Sequence, residues 1–335
     1  MASLADISRH AGTSVATASR VLNGSSHPVS DATRARVMEA AADLGYQPSA
    51  LARALVTRSS RIIGVIVNDI VDPYFAEIAR GVEDVAGRSG HLVMVCNADH
   101  RIEAEIEYVR ALRDYHAEGL VFAGSGAPGA GGPNALLARE VEAARARGGR
   151  VVCLAQRDFP GLRLSVDNTA AVRDLTEHLI GLGHRRVAFV EGPPELYTSA
   201  DRLAGFRAAM GAARLAGDLR FPGGFDFEAG QAAARAVLDA GPLPDAIVAA
   251  NDEAAIGVVT VLRQAGLDVP GDVSVAGIDD TRPARFADLT TVSLPLYDLG
   301  AGAARHILAG AGGGAPQEDI LLPHRVVPRG STAPR

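Results

Sequence analysis

Six side chains suited to holding a small polar molecule fall at or near the ends of stretches that read as buried strands. Tyr74 and Phe75 follow Asp72-Pro73 after the apolar run Ile62–Val67, Asn251 follows Ala246–Ala250, and Asp279 follows Val275-Ala-Gly-Ile278. Arg202 lies in Asp201-Arg-Leu-Ala-Gly-Phe206 and Phe225 in Gly224-Phe-Asp-Phe227. Arg202, Asn251 and Asp279 supply donors and acceptors that match vicinal hydroxyls, while Phe75 and Phe225 offer apolar faces to a ring. This set points first to a sugar or sugar derivative and second to a nucleobase. Structural duties stay open to the same residues. Asn251 or Asp252 can cap a helix, Asp280 can be a turn residue, Arg202 can pair with an acid on its own lobe, and Tyr74 and Phe75 can be core.

Other chemistries find no support. The nine histidines are scattered without metal-ligand spacing, and no Ser/His/Asp assembly can be placed from strand ends. His178 and His184 flank Gly181-Leu-Gly183 at a helix end, where a cation suits the dipole. Gly124-Ser-Gly-Ala-Pro-Gly129 spells the dinucleotide-binding fingerprint after a strand, but Pro128 and the following Ala-Gly-Gly-Pro133 delay any helix. It reads instead as a mobile Gly/Pro-rich surface loop. Cys96 and Cys153 sit in apolar runs and read as reduced core thiols. No catalytic site, metal or cofactor is expected.

The elements that must position these residues change character along the chain. At the start, Leu4, Ile7 and Ala11 share one helical face, Gly12-Thr13 breaks the helix, and Ser14 can cap the next. That second helix runs to Leu22 with Ala18, Val21 and Leu22 inward, and Ser30 caps a third with Val37, Ala41 and Leu44 inward. Two short helices about a tight turn, braced by a third, form a helix-turn-helix, whose second helix enters the DNA major groove. On that helix Arg20 is the strongest base reader, because a guanidinium grips guanine O6 and N7 with two bonds. A phosphate contact is its alternative role. Arg34 and Arg36 suit phosphate or solvent.

From Arg61 the period changes to alternating strand and helix, which predicts parallel sheets. Strands are expected at Ile62–Val67, His91–Cys96, Gly119–Ala123, Val151–Leu154, Val187–Val190, Ala246–Ala250 and Val273–Ala276. Helices are expected at Phe75–Ala86, Glu103–Tyr115, Ala200–Ala212, Asp252–Gln264 and Asp298–Leu308.

Charge follows the same division. Residues 1–61 hold seven Arg against four acids, a balance of +3, which leaves −9 of the net −6 on the remainder. A basic head on an acidic body fits a DNA-binding module joined to something else. All 33 basic residues are arginine, which reads as genome composition. The N-terminus lacks a charged region followed by an apolar one, and no apolar run approaches about 18 residues. A cytoplasmic protein with no membrane span is expected.

The segments Ala11-Gly-Thr-Ser-Val-Ala-Thr-Ala-Ser-Arg-Val-Leu-Asn-Gly24, Val29-Ser30, Leu44-Gly-Tyr46 and Pro48-Ser-Ala-Leu-Ala-Arg-Ala-Leu55 resemble the lactose-repressor (LacI/GalR) family of transcription regulators. Thr13 and Ala18 depart from it, standing where valine is common, and are expected to soften the packing of the head.

The resemblance implies an all-α helix-turn-helix head at residues 1–47, a hinge helix and linker at 48–60, and an α/β bilobal core like a periplasmic binding protein at 61–335. The first lobe would take 61–165 and 294–325, the second 166–293 and 326–332, with a crossover near Leu164-Ser-Val-Asp-Asn168. It implies DNA contacts from Ser14, Val15, Ala16, Thr17, Ser19, Arg20, Asn23, His27, Leu51, Ala52 and Leu55. Val15 and Ala16 would face base edges, and Leu55 would wedge into the minor groove at a central CG step. Tyr74, Phe75, Arg202, Phe225, Asn251 and Asp279 match positions near the effector. Gln156-Arg157 departs from a frequent Asp-Arg, and with Ala155 before it an acidic effector contact from that strand is not expected.

The implied protein is a homodimer that binds palindromic double-stranded operator DNA under control of a small-molecule effector. The rival readings are a solute-binding receptor of the same fold, an α/β enzyme processing sugars or nucleotides, and a nucleobase-responsive co-repressor type. With no leucine-heptad tail after Arg325, a tailed tetramer is not expected.

Overall fold

The computed structural model describes residues 2–22, 27–46, 60–129, 131–215, 219–309 and 319–335. Asn23 and the hinge positions Leu51, Ala52 and Leu55 lie outside them. The chain divides into two compact units, Met1–Arg61 and Ile62–Arg335.

In the first unit, each of the three helices among the described residues begins at a serine. Ser3 forms a capping box with Asp6 at the start of α1 (Leu4–His10). Ser14 Oγ accepts the Thr17 amide at 3.1 Å, opening α2 (Val15–Leu22). Ser30 caps α3 (Asp31–Asp43) through the Thr33 amide. Capping satisfies amides that a helix start leaves orphaned, so these serines fix where the short helices begin. Ile7, Ala11, Ala18, Val21, Val37, Ala40 and Ala41 close a small core, with Leu4, Leu22 and Leu44 packed at its edge. Ala18 is fully buried, so the departure from valine falls inside this core.

The second unit holds two six-stranded sheets. The first comprises β1 (Ile62–Val67), β2 (Leu92–Asn97), β3 (Gly119–Phe122), β4 (Arg150–Cys153), β5 (Leu162–Val166) and β11 (Ile320–Leu322), all parallel. Its helices are α4 (Pro73–Arg88), α5 (Ile102–Asp114), α6 (Gly132–Ala146) and α12 (Leu296–Leu308). The second comprises β6 (Val187–Val190), β7 (Arg220–Phe221), β8 (Ala246–Ala249), β9 (Ser274–Asp279), β10 (Thr290–Ser293) and β12 (Arg325–Val327). Here β12 alone runs antiparallel, pairing β10. Its helices are α7 (Asn168–Gly181), α8 (Tyr197–Ala212), α9 (Phe227–Asp239), α10 (Asp252–Gln264) and the short α11 (Arg282–Phe286). The chain therefore passes between sheets after β5, after β10 and after β11.

Several elements extend beyond their sequence periodicity, for local reasons. Helix α4 starts at Pro73, ahead of Phe75, because Asp72 accepts the Tyr74 amide and Pro73 fits the first turn. Strand β9 continues to Asp279 because its register with β10 runs on to Ser293. Burial pushes the Cys96 and Cys153 thiols up to about 11 and about 12, so both are inert core thiols. His178 and His184 do not serve as cations at a helix end: burial lowers both pKa values and holds the rings neutral. His184 Nε2 instead meets the Ala333 carbonyl.

Candidate functional site

Two surfaces carry the candidate chemistry, one on each unit. On the head, the outward face of α2 presents Val15, Ala16 and Arg20 to solvent, with Thr17 and Ser19 half-buried beside them. This exposure follows from the helical period, since Ala18 and Val21 turn into the core. Ser14 lies at the exposed start of α2, where its hydroxyl is engaged by Thr17, and His27 is exposed before α3.

On the body, a cavity of about 960 Å³ opens at the carboxyl ends of strands from both sheets. All six candidate residues line it: Tyr74, Phe75, Arg202, Phe225, Asn251 and Asp279. Tyr74 and Phe75 come from the first turn of α4, their rings edge to face with centroids 5.0 Å apart. Phe75 also belongs to the hydrophobic core, the structural duty the sequence left open to it. Tyr74 is held protonated by burial, which pushes its phenol pKa up.

Arg202 is the centre of the second wall. It is 4% exposed, and every nitrogen is engaged. Nε donates to Asn168 Oδ1 at 2.9 Å, Nη2 to Asp279 Oδ1 at 3.2 Å, and Nη1 to the Ala250 carbonyl. Its guanidinium carbon lies 5.6 Å from the Phe225 ring centroid. Asp279 is positioned by backbone as much as by sequence. The end of β9 carries two consecutive residues at positive φ, Asp279 at 120° and Asp280 at 60°, an arrangement that costs about 1–3 kcal/mol for each non-glycine residue. The turn sends the two carboxylates to different partners, Asp279 to Arg202 and Asp280 to Arg285 and Arg329. Burial raises the Asp279 pKa well above the ordinary carboxylate value, against the pull of Arg202.

Asn251 takes the helix-capping role that the sequence left open to it, and lines the cavity as well. Its Oδ1 accepts the Ala254 amide at 3.0 Å as the cap of α10, and its Nδ2 donates to the Phe225 carbonyl at 2.6 Å. The cap thus fixes the aromatic wall. Asp252 behind it is completely buried, accepting from the Thr281 amide and hydroxyl and from the Thr291 hydroxyl. Burial raises its pKa to about 7.

One sequence expectation is corrected here, and one feature lay beyond it. Ala155 leaves that strand end without a carboxylate, and the one beside it comes from elsewhere in the chain: Arg157 on the same loop forms a two-bond pair with Glu105 of α5, at 2.7 and 2.8 Å. Both side chains are almost fully buried, and Arg157 lies over the Phe122 and Phe159 rings. The segment Gly124–Ala127 is not simply a surface loop. It lines the cleft, with Gly126 N bonded to the Gln156 carbonyl, and a Cβ on Gly124 would fall 2.2 Å from Asn68 Oδ1. The fingerprint does not lead straight into a helix: α6 begins only at Gly132, and Asn134 in its first turn donates to the Ala127 carbonyl. Among the described residues no His, Cys, Asp or Glu cluster could hold a metal, and no helix is long and apolar enough to cross a membrane.

Residues 3–49 match the bacterial regulatory proteins of the lacI family, and residues 176–332 match the periplasmic binding protein-like domain. The chain is 33% identical over 310 residues to the ribose operon repressor of Halalkalibacterium halodurans, covering 92% of this chain and 90% of that one. The chain belongs to the lacI family. It is a ligand-responsive, DNA-binding transcriptional regulator. It is also 30% identical to catabolite control protein A of Priestia megaterium, over 98% of each chain. Among solved structures it is similar to the lac repressor dimer bound to operator and the anti-inducer ONPF, with TM-score 0.85, 27% identity and 99% of each chain covered. A complex of the regulator CelR with cellobiose matches with TM-score 0.71 and 28% identity, over 99% of this chain and all of that one.

Proposed function

We propose that this lacI-family member is a homodimeric repressor whose heads bind inverted half-sites of a palindromic operator with a central CG step. The cleft of Ile62–Arg335 binds the effector, a sugar or sugar derivative. The single observation that carries the effector assignment is the convergence of Tyr74, Phe75, Arg202, Phe225, Asn251 and Asp279 on one cavity of about 960 Å³. That volume is at the upper end for small-ligand sites. Similarity to a ribose operon repressor and to a regulator in complex with cellobiose supports the ligand class.

On the head, Arg20 reads a guanine and Val15 and Ala16 touch base edges, supported by their exposure on α2. Ser14, Thr17, Ser19, Asn23 and His27 complete the contact surface, and Leu51, Ala52 and Leu55 supply the minor-groove wedge of the hinge. Effector binding shifts one lobe against the other and so changes the free energy of the operator-bound hinge by about 1–3 kcal/mol.

Selection of genomic fragments on the purified protein, followed by sequencing, tests the operator. Wild type is expected to enrich one palindrome, and Arg20→Ala to relax base preference at one position per half-site at a cost of about 1–3 kcal/mol. An unchanged binding matrix in the variant would remove Arg20 from base reading.

A further inference from the structure

The cleft carries an electrostatic signature that narrows its ligand. Among the described residues, nine carboxylates and three guanidiniums line it. Two of those guanidiniums are already paired within the walls, Arg157 with Glu105 and Arg202 with Asp279. The third, Arg101, is exposed at the rim, two positions from Glu103. The surplus is negative, and part of it faces itself across the cleft. Asp72 at the start of α4, Glu253 in the first turn of α10 and Glu228 in the first turn of α9 all line the one cavity, with Asp72 and Glu253 near enough to repel. Asp72 is pushed up to about 6 by burial, reinforced by Glu253 and Asp69. Glu253 is raised as well, first by burial and then by Glu228.

Anionic ligands commonly dock on free amides at helix starts. At three helix starts on the cleft an amide is taken by the protein's own side chain, and at α5, which begins without a side-chain cap, Glu103 and Glu105 place negative charge in the first turn. Asp72 occupies the Tyr74 amide, Asp226 the Ala229 amide at 2.7 Å, and Asn251 the Ala254 amide. Arg202, the central cation of the second wall, has all three nitrogens committed. A phosphate or carboxylate would meet carboxylates with no free partner from these groups. An ammonium would meet unneutralised carboxylates and aromatic rings together. The Phe225 ring already receives one cation, Arg202, at 5.6 Å.

We propose that the effector of this cleft carries a protonated amine and no phosphate or carboxylate, as an amino sugar does. The amine sits between Asp72 and Glu253, relieving the repulsion that opposes approach of the two lobes, while the hydroxyls meet the polar groups of the second wall. This deepens, and rests on, the reading of the cleft as the effector site.

Titration calorimetry on the full chain at pH ~7.5 tests it with matched sets: glucose, glucosamine and glucose 6-phosphate, then the galactose and mannose counterparts. In at least one set the amine is expected to bind about tenfold tighter than the parent sugar, with the phosphate weakest, the scale of one partly desolvated charge contact. Glu253→Gln and Asp72→Asn should each shrink that preference to within about threefold; Asn retains the ability to cap α4. A parent sugar or phosphate binding tightest overturns the proposal, as does an amine preference untouched by both variants. Silence from every amine overturns it too. The effector-site reading fails separately, if Arg202→Ala leaves a ligand response of operator binding intact.

Discussion

At the residue scale, the site depends on buried polar groups that are almost completely satisfied, which makes single substitutions costly. Arg202→Ala would strand Asp279 without its cation, leave the Ala250 carbonyl and Asn168 short of a donor, and open space under Phe225. Removing one member of a buried pair costs about 3–5 kcal/mol. The variant should melt earlier and lose effector response in an operator-binding titration. The conservative Arg202→Lys cannot restore the three-way fork. Asp72 makes the opposite prediction. Its folded pKa of about 6 stands above the ordinary aspartate value of 3.8, so the folded state favours the protonated form. Stability from that protonation is fully present below pH ~4 and lost as pH rises through ~6. Asp72→Asn should therefore raise the melting point at pH ~7.5, by on the order of 2 kcal/mol, and the gain should vanish near pH ~4. Melting curves across that window that stay parallel would contradict the assignment.

At the scale of elements, helices that flank the sheets meet with backbones in contact. Helices α4 and α12 cross where neither side has room for a methyl group. A Cβ on Gly81 would fall 2.1 Å from the Tyr297 carbonyl oxygen, and one on Gly300 2.0 Å from that of Ile78. The α9–α10 pair repeats the device, with Gly230 against Ala254 and Gly257 against Phe227. These approaches are to backbone, which cannot rotate aside, so the helices must separate to admit a side chain. Gly81→Ala or Gly300→Ala is expected to destabilise the body by about 1–3 kcal/mol or more, read as a lower denaturation midpoint in urea. The head, as a separate compact unit, should keep its own helical signal.

At the scale of the whole molecule, the two units meet different partners, and the proposed coupling runs through the hinge segment. Leu55 lies outside the described residues, and its role rests on its place in the family motif. Leu55→Ala should weaken specific operator binding while leaving calorimetric ligand binding by the cleft unchanged. Equal operator affinity in a fluorescence-anisotropy titration would refute the wedge. Both readouts are needed because a destabilised head would also lower DNA affinity, and circular dichroism of the variant separates the two.

Much of this protein is legible in its sequence because the signals are local. Ser14 and Ser30 set helix starts within a few residues, and the change of apolar period near Arg61 marks the passage from helices to parallel sheets. The six cleft residues stand out because strand ends in α/β folds converge on ligand sites. What only the tertiary structure decided involves partners far apart in the chain. Glu105 meets Arg157 across 52 positions and Arg202 meets Asp279 across 77, separations at which no periodicity pairs one charge with another. The backbone turn at Asp279–Asp280, the capping of Asn251 against Phe225, and the placement of β11 and β12 in different sheets likewise arise from packing. Local sequence fixes which groups reach the strand ends, whereas three-dimensional closure fixes which charges remain uncompensated there, and it is the uncompensated charge that selects a ligand.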